Sequence, residues 1–429
     1  MPGPGATTNL QLPYLEAAQA QKHVTVNEAL RLLDALVQGA AISRTVSAQP
    51  ASPVDGDIYI LPAGKTGAAW GGMTNFAIAY CRDGVWSQIT PREGWTFYVK
   101  DEDQHAVYSG AAWGPILSAA QTAGFRNRLH NAAFAINQRG LTSVADDAYG
   151  FDRWYVLTST GAVTLGALTD PEIGRPTGIR LTQPDATPKR IGLAQIVEAA
   201  NIKDLRSVAA AMAARVRCSS SQPIRMAILE WTGAADVVTS DVVTNWTSTS
   251  FTAGGFFNAT TLNVIATGAS TPAANTWTDL AQITGSFGAS LNNAIAMVWT
   301  EGALAQNATL DLDQAQLEPG AACGAFARRA LGEELALCQR YCEVCNEDGG
   351  GLMCWSDTTV GEVYATLRPF AVAKRIPPAM TLTNRVNIGF PATPGGATAS
   401  RYGFREGRVA SATGSGRFFM TDFVADAEL

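Results

Sequence analysis

The sequence predicts a mainly β protein: a short N-terminal helix and small β domain, then a jelly-roll β-sandwich, then a smaller C-terminal β-sandwich. Three observations predict it. From about residue 50 onward, apolar and polar residues alternate over short runs, the period-two pattern of half-buried strands. Turn residues, including Asp-Gly, Ser-Gly and Gly-Gly pairs, separate those runs at roughly ten-residue spacing. The 429 residues include 41 glycines and only 16% charged residues, which fits a turn-rich folded chain rather than a disordered one. At this length one hydrophobic core does not suffice, so several domains are expected.

Residues 1–11 are rich in Gly, Pro and Thr and are expected to be extended. From about Glu16 to Val37, the residues Val26, Leu30, Leu33 and Val37 recur at intervals of four, three and four, which sets them on one helical stripe. The stripe is too short for a coiled coil that stands alone. It either packs on its own small β domain, self-associates or docks on another protein. Between Pro50 and Trp113, short alternating segments meet at Asp83-Gly84 and Ser109-Gly110, which are hairpin signals. Trp70, Trp86, Trp95 and Trp113 are expected to be core anchors, since a small sheet needs large side chains.

Gly114–Phe125 reads as a linker, polar and small around Ser118–Gly124. A second β pattern follows to Gly320, with strands of five to eight residues between Gly, Asn, Thr and Pro turns, as in a sandwich or jelly roll. Val208–Cys218 (VAAAMAARVRC) is alanine-rich, yet its place between a turn and a strand favours strand over helix. From about Cys342 the alternation resumes to Leu429. The resulting boundaries are 1–45 (arm and helix), 46–117 (hairpin domain), 118–335 (jelly roll) and 336–429 (C-terminal β domain).

The first hundred or so residues closely resemble a domain of unassigned function at the N-terminus of virion proteins in phages, prophages and gene transfer agents of α-proteobacteria. Glu16–His23 (EAAQAQKH), Asp55-Gly56-Asp57 and Pro91–Trp95 (PREGW) carry that resemblance. The second region resembles the carbohydrate-binding-module-like jelly roll of phage tail fibres. There the carrying residues are Asn137-Gln138-Arg139-Gly140, Asp152-Arg153-Trp154, Trp277 with Leu280, and Gln316–Gly320, and the resemblance implies that the short helix following the sandwich in those fibres falls at Gly332–Tyr341. Together the resemblances imply a particle-anchored fibre or spike subunit, and fibre subunits of these families are generally threefold. A homotrimer is therefore expected, with the helical stripe a candidate seam or a dock for other virion proteins.

Candidate chemistry is sparse. Cys338, Cys342, Cys345 and Cys354 crowd into one segment. They are expected to be buried free thiols, with a Cys345–Cys354 disulfide and a structural zinc as alternatives. Asp311 and Asp313, two apart on one strand, are weak candidates for a structural calcium, and no cofactor is otherwise expected. Adjacent acidic doublets point to opposite faces of a strand, so they are poor glycosidase pairs. Three histidines, and no nucleophile-elbow, phosphate-loop or zinc-protease pattern, argue against an enzyme. Asn245 and Trp246, in a polar loop, are the glycan-contact candidates.

A net charge of −6 gives no basic footprint for nucleic acid. No apolar run suggests membrane insertion, and no export signal is expected at the N-terminus. The expectation is a non-enzymatic virion subunit, made in the bacterial cytoplasm and exposed on the particle, that binds a host surface polysaccharide. The alternatives are a polysaccharide-degrading tailspike and a purely structural adaptor between virion proteins.

Overall fold

Asp83 and Gly84 both take left-handed backbone angles, φ 50° and 73°, closing a two-residue hairpin whose twist matches its strands. The turn lies in the first of two compact units, Met1–Ser118 and Ala119–Leu429. The computed structural model describes residues 6–15, 22–116, 126–170, 175–346, 352–390 and 397–429. The helix start expected at 16–21 and the linker around Ser118–Gly124 lie outside the described residues.

The first unit holds helix α1 (Lys22–Leu36) and strands β1 (Ala40–Ala41), β2 (Ile58–Ile60), β3 (Ile78–Arg82), β4 (Val85–Ile89), β5 (Thr96–Val99), β6 (Gln104–Tyr108) and β7 (Trp113–Pro115). They form a three-stranded sheet, β2-β3-β4, and a four-stranded one, β1-β5-β6-β7. Phe97, Val99, Ile58, Ile78 and Trp113 fill the main core. Tyr59, Trp70 and Trp86 form a second cluster, with ring centroids 5.1–5.8 Å apart, so large rings give this small unit its buried area. Trp95 is only partly buried.

Helix α1 turns Asp34 and Ala35 inward. The Asp34 carboxylate accepts the Asn9 amide at 3.0 Å and the Tyr80 hydroxyl at 3.3 Å, which ties the N-terminal arm across the helix. With those positions taken, Val26, Leu33 and Val37 point to solvent. The stripe does not pack on its own β domain.

The second unit opens with β8 (Ser143–Ala145), β9 (Tyr155–Thr158), β10 (Ala162–Asp170), β11 (Arg175–Thr182), β12 (Ile191–Val197), β13 (Ala209–Cys218) and β14 (Ile224–Trp231). The jelly roll is completed by β15 (Leu262–Ser270), β16 (Thr278–Asp279), β17 (Ile283–Ser286), β18 (Asn293–Thr300) and β19 (Thr309–Pro319). The alanine-rich segment is strand β13. One sheet runs β16-β13-β19-β11-β10-β8, with β17 also on β13, and the other runs β15-β14-β18-β12-β9. Val163, Ile179, Leu193, Met212, Met226 and Leu312 belong to the core they share. The outer face of the five-stranded sheet is covered by residues 232–261, whose Phe251, Phe256 and Phe257 pack around Trp299. Gly192, paired with Trp299, has no room for a side chain: a Cβ would lie 2.6 Å from the Trp299 Cβ.

Helix α2 (Leu331–Gln339) leads into β20 (Cys342–Cys345), β21 (Leu352–Thr358), β22 (Val363–Pro369), β23 (Ala379–Ile388), β24 (Ala397–Ala399), β25 (Gly403–Val409) and β26 (Gly414–Asp426). Strand β26 pairs with β20, β21 and β23, while β22, β25 and β24 form a second sheet. Phe370, Phe404, Phe418 and Phe423 build the core of this smaller sandwich.

Several residues that carry the jelly-roll resemblance form the joint between the two sandwiches. The Gln138 side chain donates to the Asp152 carboxylate and to the Cys342 carbonyl. Arg139 pairs with Asp426 and Glu428, and Arg153 with Glu428. On the other side, Glu198 accepts from Arg340 at 2.6 Å and from the Tyr341 hydroxyl at 2.7 Å. These contacts hold the Glu198 carboxyl below its usual range although burial alone pushes it up.

Candidate functional site

Among the described residues, the outer face of the seven-stranded sheet lacks the aromatic cover of its partner sheet, and it carries a ladder of polar side chains. Strand alternation sends Met212 and Val216 of β13 into the core and Arg215 and Arg217 outward, as period two requires. Arg217 and Arg180 both face Asp311 across the register. Arg180 Nε and Nη2 lie 2.7 and 2.9 Å from the Asp311 oxygens, and Arg217 Nε lies 2.8 Å from Oδ2.

Trp277 extends this row. It immediately precedes β16, whose Thr278 pairs with Val216, and the Arg217 and Arg215 guanidiniums lie 4.9 and 5.5 Å from its ring centroid. The ring is thereby held over two cations and remains partly exposed, an oriented aromatic platform.

In the next row Arg215 faces Asp313 on one side and Asp279 on the other. Asp313 is mostly buried, and its Oδ1 has no hydrogen-bond partner among the described residues. Burial pushes its carboxyl up, against the pull of Arg328 and Gln314. The backbone at Gln314 is left-handed, φ 55°, at an irregularity in the β13–β19 register, and this bulge re-aims its amide. Here a groove of about 250 Å³ opens, with Arg215, Asp279, Gln314 and Phe326 among its walls.

Residues 323–327 close one side of the groove. Gln282 Oε1 accepts the Cys323 amide at 2.9 Å, Gln316 Nε2 donates to the Gly324 carbonyl at 3.1 Å, and Glu318 Oε2 accepts the Gly324 amide at 2.9 Å. Those side chains are occupied in holding the segment. The Gln314 Nε2 donates to Asp313 Oδ2 at 3.1 Å, and the groups left for a ligand are the Trp277 ring, the Asp313 Oδ1, and the exposed parts of Arg215 and Asp279. Such a set suits hydroxyl-rich ligands, which combine apolar ring faces with many donors and acceptors.

The sequence-proposed Asn245 and Trp246 lie in the segment that covers the five-stranded sheet, with Trp246 partly exposed. Trp246 does not stand free: its ring packs edge-on against Phe256, centroids 5.5 Å apart, in the cover of the five-stranded sheet. Asn245 is exposed, but its Oδ1 accepts from the Thr247 amide and hydroxyl, which makes it a turn former. Both oxygens of Asp311, a weak calcium candidate, accept from Arg180 and Arg217. Asp313 lies one row away, beside Arg215. Among the described residues no group of three or more His, Cys, Asp or Glu side chains is arranged to hold a metal.

The cysteine cluster is likewise dispersed. Helix α2 ends at Gln339, so Cys338 is on the helix and Cys342 on β20. Cys345 and Cys354 pair with Phe423 and Phe418 of β26. Five residues of strand separate those partners by roughly 17 Å, beyond disulfide reach. None of the seven cysteines is joined in a disulfide. Burial pushes the Cys338, Cys342 and Cys354 thiols up. The alternation of Arg215 and Arg217 with buried residues was a signal in the sequence for the polar face. No sequence signal brought Trp277 and Asp313 beside them.

Among the described residues no helix is long and apolar enough to cross a membrane. Residues 26–114 match the model of a family described as "Protein of unknown function (DUF2793)". No curated protein matches the chain. Among solved structures, the chain is similar to a putative sugar binding protein from Bacteroides thetaiotaomicron VPI-5482, with 10% identity, 46% of this chain and 100% of that one covered, and a TM-score of 0.30. It is also similar to TmCBM61 in complex with beta-1,4-galactotriose, with 12% identity, coverage of 46% and 99%, and a TM-score of 0.27. A third is the enzymatically active domain of Bacteriophage CBA120 tailspike protein 4, with 11% identity, 50% of this chain but 24% of that one covered, and a TM-score of 0.27.

Proposed function

We propose that this chain is a non-enzymatic fibre or spike subunit of a phage-like particle. In this reading the N-terminal unit attaches to other virion proteins, and the jelly roll binds a host surface glycan. The observation that carries the glycan reading is the partly exposed Trp277 ring over Arg215, with the mostly buried Asp313 across from that arginine, beside an open groove. Aromatic faces stack on sugar rings, and an unpaired buried carboxylate oxygen accepts a hydroxyl at little added desolvation cost. Binding is favoured over hydrolysis because Arg215 stands between Asp313 and Asp279 and offsets the charge that a catalytic pair would use. The particle reading rests on the virion-domain resemblance of the first hundred residues. Low single-site affinity in such a subunit is offset by presenting several copies, which fits a homotrimer.

The test is a glycan array and host-cell binding assay with the whole chain and with Trp277→Ala, run beside a reducing-end assay on host polysaccharide. Binding weakened about tenfold in the variant, with no new reducing ends, is the expected result. Release of reducing ends by the pure protein would establish the degrading tailspike instead. Absence of any glycan or cell binding would establish the structural adaptor.

A further inference from the structure

We propose that the groove between helix α1 and strand β4 takes an extended peptide segment of another protein, which adds a strand to the free edge of β4. The pairing mode stands on the geometry of that edge. That the partner is a virion protein rests on the attachment reading above.

Among the described residues, β4 pairs only with β3. The Asp83-Gly84 turn makes Arg82 and Val85 a hydrogen-bonded pair, and such pairs alternate along an antiparallel ladder. At the next position the Cys81 backbone faces β2 instead. Its amide donates to the Asp57 carbonyl at 2.8 Å, and its carbonyl accepts the Gly56 amide at 2.9 Å. Its partner Trp86 therefore turns its N–H and C=O away from β3, and Gln88, two residues on, does the same. No described group bonds to them. They stand at the positions that one more strand would pair.

The other sheet edges of this unit are covered or blunted. The outer side of β2 is covered: the Ile42 amide donates to the Ile58 carbonyl at 2.7 Å, and the Ile60 amide to the Ser43 carbonyl at 3.0 Å. Strand β1 has two residues, and β7 has three and ends in Pro115. Short strands, proline and charge are how folded proteins keep edges from pairing. Strand β4 uses none of these. Its five residues, Val-Trp-Ser-Gln-Ile, carry no charge and no proline.

A groove of about 380 Å³ lies beside that edge. Tyr80, Ser87 and Ile89 line it from the sheet, and Ala29 and Leu32 line it from the helix, with Leu32 48% exposed. Glu28, ion-paired with Arg31 and Arg82, adds a charged rim whose charges already answer one another. A strand laid on β4 sends every second side chain toward the helix, where an apolar one packs against Ala29, Leu32 and Ile89. A small solute could fill the groove, but it would leave the Trp86 and Gln88 backbone groups unpaired. An extended chain with apolar residues at alternate positions answers both, as in strand addition to a sheet edge.

The experiment selects a displayed library of randomised linear peptides on the full chain, then follows amide hydrogen exchange with a selected peptide bound. We expect selected peptides to carry apolar residues at alternate positions and to slow exchange at Trp86 and Gln88 about tenfold or more. Leu32→Lys, on the exposed groove wall, should weaken binding about tenfold at unchanged melting temperature. Methylating one of the two alternating sets of peptide amides should abolish binding, a readout that needs no variant of the protein. Failure to select any peptide overturns the proposal, and so does a bound peptide that leaves Trp86 and Gln88 exchanging as in the free chain. Exchange at both amides that slows as the chain alone is concentrated would also overturn it, by assigning the edge to a second copy. Peptide pairing by a chain that never copurifies with particles would leave this proposal standing and remove the attachment reading.

Discussion

Arg153 of the jelly roll and Glu428 of the C-terminal sandwich form a buried ion pair, with side chains 1% and 5% exposed. Arg153 also lies with its guanidinium 3.5 Å from the Tyr341 ring centroid and donates to the Ile196 carbonyl at 2.7 Å. Its backbone is left-handed, φ 70°, a conformation that an arginine adopts at a cost of about 1 kcal/mol. The contacts on its side chain offset that cost and fix the angle at which the two sandwiches meet.

Glu428→Ala should therefore destabilise the second unit by about 3 kcal/mol, because it leaves the Arg153 charge buried without its partner. Replacing both residues by apolar ones of similar volume should cost less than the single change. Denaturant unfolding of the two variants measures the difference, and a single Glu428→Ala variant as stable as the parent would remove the ion pair from the account of the joint.

Trp277 and Trp246 should separate binding from stability. Trp277→Ala should weaken glycan binding about tenfold, near 1.4 kcal/mol, with the melting temperature little changed. Trp246→Ala removes an edge-on contact from the cover over Trp299. It should lower the melting temperature and leave affinity unaltered. Titration calorimetry and thermal unfolding on both variants check the pair of outcomes.

Asp147 predicts a pH dependence. Burial, then Asp146 and Asp241, push its carboxyl up from 3.8 to about 6. A carboxyl raised on folding penalises the folded state when ionised. The penalty is absent below the unfolded value, grows as pH rises from about 4 to 6, and is complete above that. Asp147→Asn should raise the melting temperature at pH 7.5 and leave it nearly unchanged at pH 4. Asparagine accepts the φ of 59° found there, as it tolerates left-handed backbone. An equal gain at both pH values would assign the effect to something other than charge.

Asp34→Ala should release the N-terminal arm. The carboxylate accepts two backbone amides of the arm and the Tyr80 hydroxyl, so its loss should cost the first unit about 2 kcal/mol. Hydrogen exchange should rise at Asn9 and Leu10 before it rises in the strands. Protection that persists at both amides would show that the arm is held by other contacts.

The sequence by itself determined the local elements, because their causes are local. Asp83-Gly84 supplies the left-handed pair that a two-residue hairpin needs, so β3 and β4 were legible. Alternation across Ala209–Cys218 outweighed the helix propensity of its alanines, since a strand buries Met212 and Val216 on one face. The spacing of Val26, Leu30, Leu33 and Val37 placed them together on a helix, but spacing cannot say which face turns inward. Asp34 and Ala35 decided that, through contacts with the arm and with Tyr80 from β3. Tertiary structure also decided the site. Trp246 looked free in a polar loop, but Phe256, ten residues later, folds back beneath it. Asp311 looked free for a cation until Arg180 and Arg217, 131 and 94 residues away, reached it across neighbouring strands. Strand alternation sets which face a side chain takes, whereas sheet register sets what it meets there. The register joining β11, β19, β13 and β16 spans more than a hundred residues, a separation over which no local pattern in the chain specifies the pairing.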